Sequence, residues 1–354
     1  LAHVPDSVGD LTGLKRLALH NCRLPAGLPE SISGLTQLTA LLLPCCSRLG
    51  RLPDGIGGLT ALAQLDLKSC RELSSLPDSL GSLSALTTLD LSGTSLVSVP
   101  ETIGGLSALT ALNLDSCSAL ARLPESLGSL AALKTLILSK CSALTRLPES
   151  LCSLAALATL DLRRCSRLRQ LPDSIGDLAA LLALNLTGCG SLEALPDAIA
   201  RLAALTLLRL GVCTSLARVP DGIGGLRALT DLALPGCCAL VALPETIGDL
   251  AALTSLNLSG CRVLARLPES IGELAVLKTL HLSGCRALTQ LPQSIGALAA
   301  LTALNLNGCR ALTQLPRSIG ALAKLQRLDL RNCSRALRQG LPDAIVRVTQ
   351  FDIE

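Results

Sequence analysis

LPESIGELAVLKTLHLSGCRALTQ, residues 267–290, decides the fold, because the same 24-residue frame returns along the whole chain. A cysteine marks the rhythm at Cys22, Cys46, Cys70, Cys117, Cys141, Cys165, Cys189, Cys213, Cys237, Cys261, Cys285, Cys309 and Cys333. With the frame numbered 1 to 24, leucine or a close substitute fills places 1, 5, 8, 11, 14, 16 and 22, proline place 2 and cysteine place 19. Fourteen full copies begin at Val4, Leu28, Leu52, Leu76, Val99, Leu123, Leu147, Leu171, Leu195, Val219, Leu243, Leu267, Leu291 and Leu315. A fixed period of this length marks a solenoid, in which each repeat buries its apolar face only against its neighbours.

The spacing inside the frame predicts the local structure. Places 14 and 16 alternate inward as in a short strand, while places 5, 8 and 11 are three apart and line one side of a helical turn. Each repeat therefore reads as strand, turn, helix, turn. Proline at place 2 suits a first helical turn, where its missing N–H has no partner to lose. An acid stands at place 3 in twelve of the fourteen copies and complements the positive end of that helix.

The stretch LxxLxLxxC is the leucine-rich-repeat pattern, and the longer form LPxSIGxLxxLxxLxLxxCxxLxxLP resembles two kinds of repeat. One belongs to plant intracellular immune receptors that carry a TIR and a nucleotide-binding domain, the other to some bacterial effectors delivered into plant cells. The resemblance covers all 354 residues. It implies an α/β fold: a right-handed leucine-rich-repeat solenoid curved into a horseshoe, with parallel strands on the concave face and short helices on the convex face. It also implies that each place-19 cysteine takes the position asparagine holds in other leucine-rich repeats.

No linker, charge block or Pro/Ser-rich break interrupts the frame, so residues 1–354 read as a single domain. Full repeats run from 4 to 340, with partial repeats at 1–3 and 341–354. The mid-repeat start at Leu1-Ala2-His3 suggests a fragment of a longer protein. At the other end LPDAIVRVTQFDIE begins a fifteenth copy, in which Phe351, the one aromatic residue, falls on place 11 and covers the end of the core. Two copies are irregular: that at Leu76 has Thr94 in the cysteine place and is one residue short, and that at Leu315 carries two extra residues near Ser334 to Leu337.

Composition excludes several classes. A net charge of +4, from 31 basic and 27 acidic residues, is too modest to suggest nucleic acid or an anionic membrane as partner. No signal peptide and no run of eighteen apolar residues is present, so no membrane association is expected. The place-19 cysteines read as a ladder of buried thiols, since their Cβ vectors run parallel along the stack and disulfides need them to converge. Cys45, at place 18, and Cys238, at place 20, are the candidates for exposure, and Cys152 replaces a glycine at place 6. No ligand spacing suggests zinc, so neither metal nor cofactor is expected. Unpaired cysteine points to a reducing, cytoplasmic compartment, or a host cytosol if the chain is an effector. The sequons at Asn185, Asn257 and Asn332 follow from the repeat pattern.

Enzyme motifs are absent: there is no GxxxxGK[ST], HExxH or GxSxG, and His3, His20 and His281 lie far apart along the stack. The arginines at place 24, such as Arg122, Arg146, Arg218 and Arg266, stand three residues before acids at Glu125, Glu149, Asp221 and Glu269 and read as a solvated charge stripe. Alanines at places 9 and 10 form a shallow apolar strip for which self-association is possible but not favoured.

What remains is the strand face, where places 13, 15, 17 and 18 point away from the core and vary. The candidate binding residues are Asp66, Lys68, Asp90, Asn113, Asp115, Lys140, Asp161, Arg163, Arg164, Asn185, Arg209, Asn257, His281 and Asn305. Charge is densest in the middle copies, whereas glycine at place 18 thins the face at Gly236, Gly260, Gly284 and Gly308. The expected function is a non-enzymatic module that binds a protein partner on its concave strand face, around copies five to nine. Two alternatives stand beside it: the substrate-recognition region of a larger enzyme such as a bacterial effector ubiquitin ligase, and a purely structural or engineered scaffold.

Overall fold

The computed structural model describes residues 3–25, 27–339 and 350–352. Contacts group the chain into two compact units, Leu1–Leu168 and Arg169–Glu354, and each is taken by itself.

The first unit carries seven three-residue strands: β1 (Arg16–Ala18), β2 (Ala40–Leu42), β3 (Gln64–Asp66), β4 (Thr88–Asp90), β5 (Ala111–Asn113), β6 (Thr135–Ile137) and β7 (Thr159–Asp161). Each pairs in parallel with the next, at a step of one repeat: Leu41 lies opposite Leu65, and Leu136 opposite Leu160. The short copy keeps this register, since Leu89 pairs with Leu112 across 23 residues.

The turns between strands explain the three-residue leucine spacing. In the copy at Leu52 the N–H of Ile56 donates to the carbonyl of Pro53 (3.1 Å), that of Leu59 to Ile56 (3.1 Å) and that of Leu62 to Leu59 (2.9 Å). On the far side of the strand, Cys70 donates to Leu67 (3.1 Å) and Leu73 to Cys70 (3.0 Å). Each such bond closes a tight turn three residues long, in which residues i and i+3 eclipse. Ile56, Leu59, Leu62, Leu67, Cys70 and Leu73 therefore all point inward and are fully buried.

The expected short helix is of the 3₁₀ kind. Places 3 to 7 form a five-residue 3₁₀ turn, as at Asp54–Gly58 and Glu125–Ser129. The proline at place 2 precedes the turn instead of opening it. Pro53 is extended, at φ −72° and ψ 156°, and contributes its carbonyl to the first turn bond. The turns stack closely enough that a Cβ on Gly104 would come within 2.7 Å of the Ser126 carbonyl oxygen in the next repeat, and place 6 is glycine in eleven copies, with Ser33, Cys152 and Ala200 the exceptions.

The place-3 acids are also spent differently from expectation. Glu101, Glu125, Glu245 and Glu269 each accept a hydrogen bond from the backbone N–H at place 4 of the following repeat, that of Ser126, Ser150, Ser270 and Ser294, at 3.0–3.2 Å. Glu125 and Glu269 therefore tie one turn to the next instead of pairing with the place-24 arginines.

The second unit repeats the design with β8 (Ala183–Asn185), β9 (Leu207–Arg209), β10 (Asp231–Ala233), β11 (Ser255–Asn257), β12 (Thr279–His281), β13 (Ala303–Asn305), β14 (Arg327–Asp329) and β15 (Gln350–Asp352). The extra residues after Ser334 form a short helix, α1 (Arg335–Gln339). Phe351 pairs with Leu328, which is place 14, so the last copy is three residues shorter than its sequence frame suggests and Phe351 is not at place 11. Its capping role concerns a side chain outside the described residues. Each unit is a right-handed solenoid, as parallel crossovers of L-residues require.

Candidate protein-binding surface

Every place-15 side chain leaves the sheet on the face opposite the leucines, but many are occupied locally. In eight copies the side-chain oxygen accepts the N–H two residues on: Asp66 from Lys68, Asp90 from Ser92, Asn113 from Asp115, Asp161 from Arg163, Asn185 from Thr187, Asn257 from Ser259, Asn305 from Asn307 and Asp329 from Arg331, at 2.8–3.1 Å. Each closes a small Asx turn that ends the strand. Seven of the candidate residues thus have one acceptor committed to the scaffold. His281 and Arg209 make none of these turns, and Arg209 is exposed.

Place 18 is a backbone position of its own kind. In all fourteen copies it is left-handed, from Asn21 at φ 59° and Ser116 at 62° through Lys140 at 61° and Arg164 at 58° to Gly308 at 72° and Asn332 at 56°. The glycines of the second unit therefore answer a conformational demand as well as thinning the surface.

In the first unit the charges of β5 to β7 meet within their own copies or the next. Asp115 accepts from the hydroxyls of Ser139 and, at 2.8 Å, Ser116, and has Lys140 Nζ at 3.7 Å. Burial works to raise its pKa, but those hydrogen bonds and the lysine charge outweigh it and leave the carboxyl below its ordinary value. Asp161 receives Arg163 through Nη2 at 2.7 Å and Nε at 2.9 Å, and that hydrogen-bonded carboxylate raises the arginine's pKa further. Arg163 stays 54 % exposed while Asp161 is 13 % exposed. Lys68 and Arg164 are exposed as well. The middle copies thus present cationic groups outward over carboxylates held close to the sheet.

The second unit holds Asn185, Arg209, Asn257, His281 and Asn305 on its own strand face. Its residues missed in sequence are the place-20 arginines Arg262, Arg286 and Arg310, legible as a 24-residue repeat of one charge just after each cysteine.

The thiols sit beneath. Thirteen cysteines are buried, Cys22 and Cys238 are half-buried and Cys45 is exposed. They act as more than small apolar residues: Cys70, Cys141, Cys213, Cys261 and Cys285 each donate to the place-16 carbonyl of the preceding repeat at 3.2–3.3 Å. Burial pushes Cys70 and Cys237 up to about 12 and Cys285 up to about 11. Among the described residues no three His, Cys, Asp or Glu side chains are grouped to hold a metal ion, and no helix is long and apolar enough to cross a membrane.

A family profile described as "Leucine-rich repeat region" matches residues 67–163 and 137–240, and one described as "Leucine Rich Repeat" matches 252–274. No functionally curated protein matches the chain. Among solved structures, a Leptospira interrogans leucine-rich-repeat protein is 30 % identical with a TM-score of 0.69, the match covering 100 % of this chain and 93 % of that one. The leucine-rich-repeat domain of the type III effector XopL is 29 % identical with a TM-score of 0.52, over 72 % and 78 % of the two chains. A Listeria monocytogenes internalin, InlF, is 18 % identical with a TM-score of 0.53, over 92 % and 89 %, a likeness of fold alone.

Proposed function

The chain belongs to the leucine-rich-repeat family, and from that premise we propose that it is a non-catalytic module that binds a protein partner on its strand face. The observation that carries this reading is the group Lys140, Arg163 and Arg164, which stands outward just beyond β6 and β7, strands joined in fixed register, with Arg163 held in place by Asp161. A side chain already oriented by a neighbour loses little freedom on binding, and arginine is a frequent interface anchor. The effector to which the chain is similar supports a recognition role, and the place-19 thiols support work in a reducing compartment such as the cytoplasm.

The test begins with capture of a partner on the immobilised chain and titration of the purified pair. Arg163→Glu with Arg164→Glu weakens binding by at least about 2 kcal/mol if the pair is a hot spot. Both side chains are exposed and neither belongs to the core, so the fold is retained although Arg163→Glu gives up the pair with Asp161; a urea unfolding curve of the double variant separates that cost from the loss of binding. The control is Arg122→Glu with Arg146→Glu on the turn side. Glu125 and Glu149 make poorer controls, because Glu125 holds the Ser150 N–H and its loss weakens the scaffold. A turn-side pair that abolishes binding while the strand-face pair is silent overturns the assignment.

A further inference from the structure

Arg262, Arg286 and Arg310 follow the buried thiols Cys261, Cys285 and Cys309, one to each successive repeat of the second unit. All three are exposed, and none takes part in an ion pair among the described residues. This separates them from Lys140, Arg163 and Arg331, whose charges are met by Asp115, Asp161 and Asp329. Strands in register lie about 4.8 Å apart, so the three backbones that carry these guanidinium groups are stepped at close to that distance. Like charges so placed repel one another, and an anionic partner removes the repulsion.

Beside the row lies a hollow of about 660 Å³ that extends over successive repeats and is lined by Ser283, Gly284, Arg286, Asn307, Gly308 and Arg310. Its floor is place 18. Gly284 and Gly308 are left-handed at φ 72°, the conformation in which Ser116, Lys140 and Arg164 carry side chains elsewhere. A Cβ on Gly284 would meet the Gly260 Cα at 3.6 Å, an ordinary contact, so the space above is open because no side chain fills it. The Ser283 hydroxyl has no partner among the described residues. The carboxylates of these repeats, Glu245, Asp249, Glu269 and Glu273, belong to the 3₁₀ turns and not to the strand face.

We propose that this row binds an acidic, extended segment of a partner protein, with carboxylates answering Arg286, Arg310 and Arg262 and the chain lying over the glycine floor. A hollow that crosses repeats suits an extended chain. Carboxylates are favoured over single-stranded nucleic acid because the surface has no aromatic ring for bases to stack on; Phe351 is the one aromatic residue of the protein. The inference rests on the reading of the chain as a protein-binding module and names a second contact of that module, on the other unit from Arg163.

The test uses the whole chain and a fluorescein-labelled oligoglutamate peptide, followed by anisotropy at low salt. The wild type binds saturably, and Arg286→Ala with Arg310→Ala weakens binding by roughly tenfold or more. Gly284→Asn, a residue that place 18 accepts at Asn21 and Asn332, fills the hollow and also weakens it. Arg122→Ala with Arg146→Ala leaves binding unchanged. Absence of saturable binding, equal binding by the double variant, or tighter binding of oligothymidylate through the same arginines overturns the proposal. None of these outcomes touches the strand-face test with Arg163 and Arg164, so the two readings fail separately.

Discussion

The Cys141 thiol donates to the carbonyl oxygen of Leu114, 3.2 Å away and 27 residues earlier. The bond joins place 19 of one repeat to place 16 of the repeat before it. A carbonyl at that place already accepts one turn bond, that of Leu114 from the N–H of Cys117 at 3.2 Å. The thiol therefore satisfies the second lone pair at a point where the strand ladder has ended and water is excluded.

Removing that donor destabilises the chain. Cys141→Ala leaves a buried acceptor short of one bond and a small gap, for an expected loss of about 1–3 kcal/mol in urea unfolding. Cys141→Thr does not restore the bond, since Thr94, at the same place, donates at 2.8 Å to the Leu91 carbonyl of its own repeat and leaves the preceding repeat's place-16 carbonyl without it. An alanine variant as stable as the parent removes the hydrogen-bonding role.

Thiol chemistry follows burial. In native protein a maleimide reacts first at Cys45, more slowly at Cys22 and Cys238, and scarcely elsewhere; after denaturation all sixteen cysteines react. Intact mass checks the count. Several disulfides in freshly purified protein sink the reading of a reducing compartment.

Stability falls in alkali. Burial pushes the Cys285 thiol from its ordinary 9.0 up to about 11 and the Cys70 and Cys237 thiols up to about 12. Above pH 9 the unfolded chain loses these protons while the folded chain keeps them, so the contribution present below pH 9 is lost as pH rises toward 12. Urea midpoints fall steadily over that window. A midpoint unchanged between pH 8 and pH 9.5, a window that ends about a unit below the lysine range, contradicts the sign.

Val212 holds a β-branched side chain at φ 58° and is 53 % exposed. Left-handed backbone disfavours such a residue by about 1–2 kcal/mol, and little packing offsets it. Val212→Asn is expected to stabilise by about 1 kcal/mol in the same unfolding measurement. A destabilised variant shows that the side chain makes a contact worth more than its strain.

The period, the parallel stack and, beyond the first copy, the burial of places 5, 8, 11, 14, 16 and 22 and of the place-19 thiols were legible in the chain; in the first copy Leu11 is 54 % exposed and Cys22 is half-buried, because no earlier repeat covers them among the described residues. Those properties follow from apolar side chains repeated at fixed steps within one repeat, which a reader of LPESIGELAVLKTLHLSGCRALTQ can count. Tertiary structure alone decided what the polar atoms meet. Glu125 turns to the N–H of Ser150 and not to Arg122, and Cys141 donates to Leu114; both partners lie a full repeat away. Asp161 spends its oxygens on the N–H and guanidinium of Arg163, so a residue that varies freely along the chain is held by its own strand end. The choice of a 3₁₀ over an α-helical turn has the same origin, since a leucine step of three suits either coil until stacking against the next repeat selects the tighter one. The left-handed place 18, shared by Lys140 and Gly284, is likewise invisible where glycine is not written there. Burial is set by a repeat's own pattern, whereas hydrogen-bond partners are set by the register between repeats, which exists only once they are stacked.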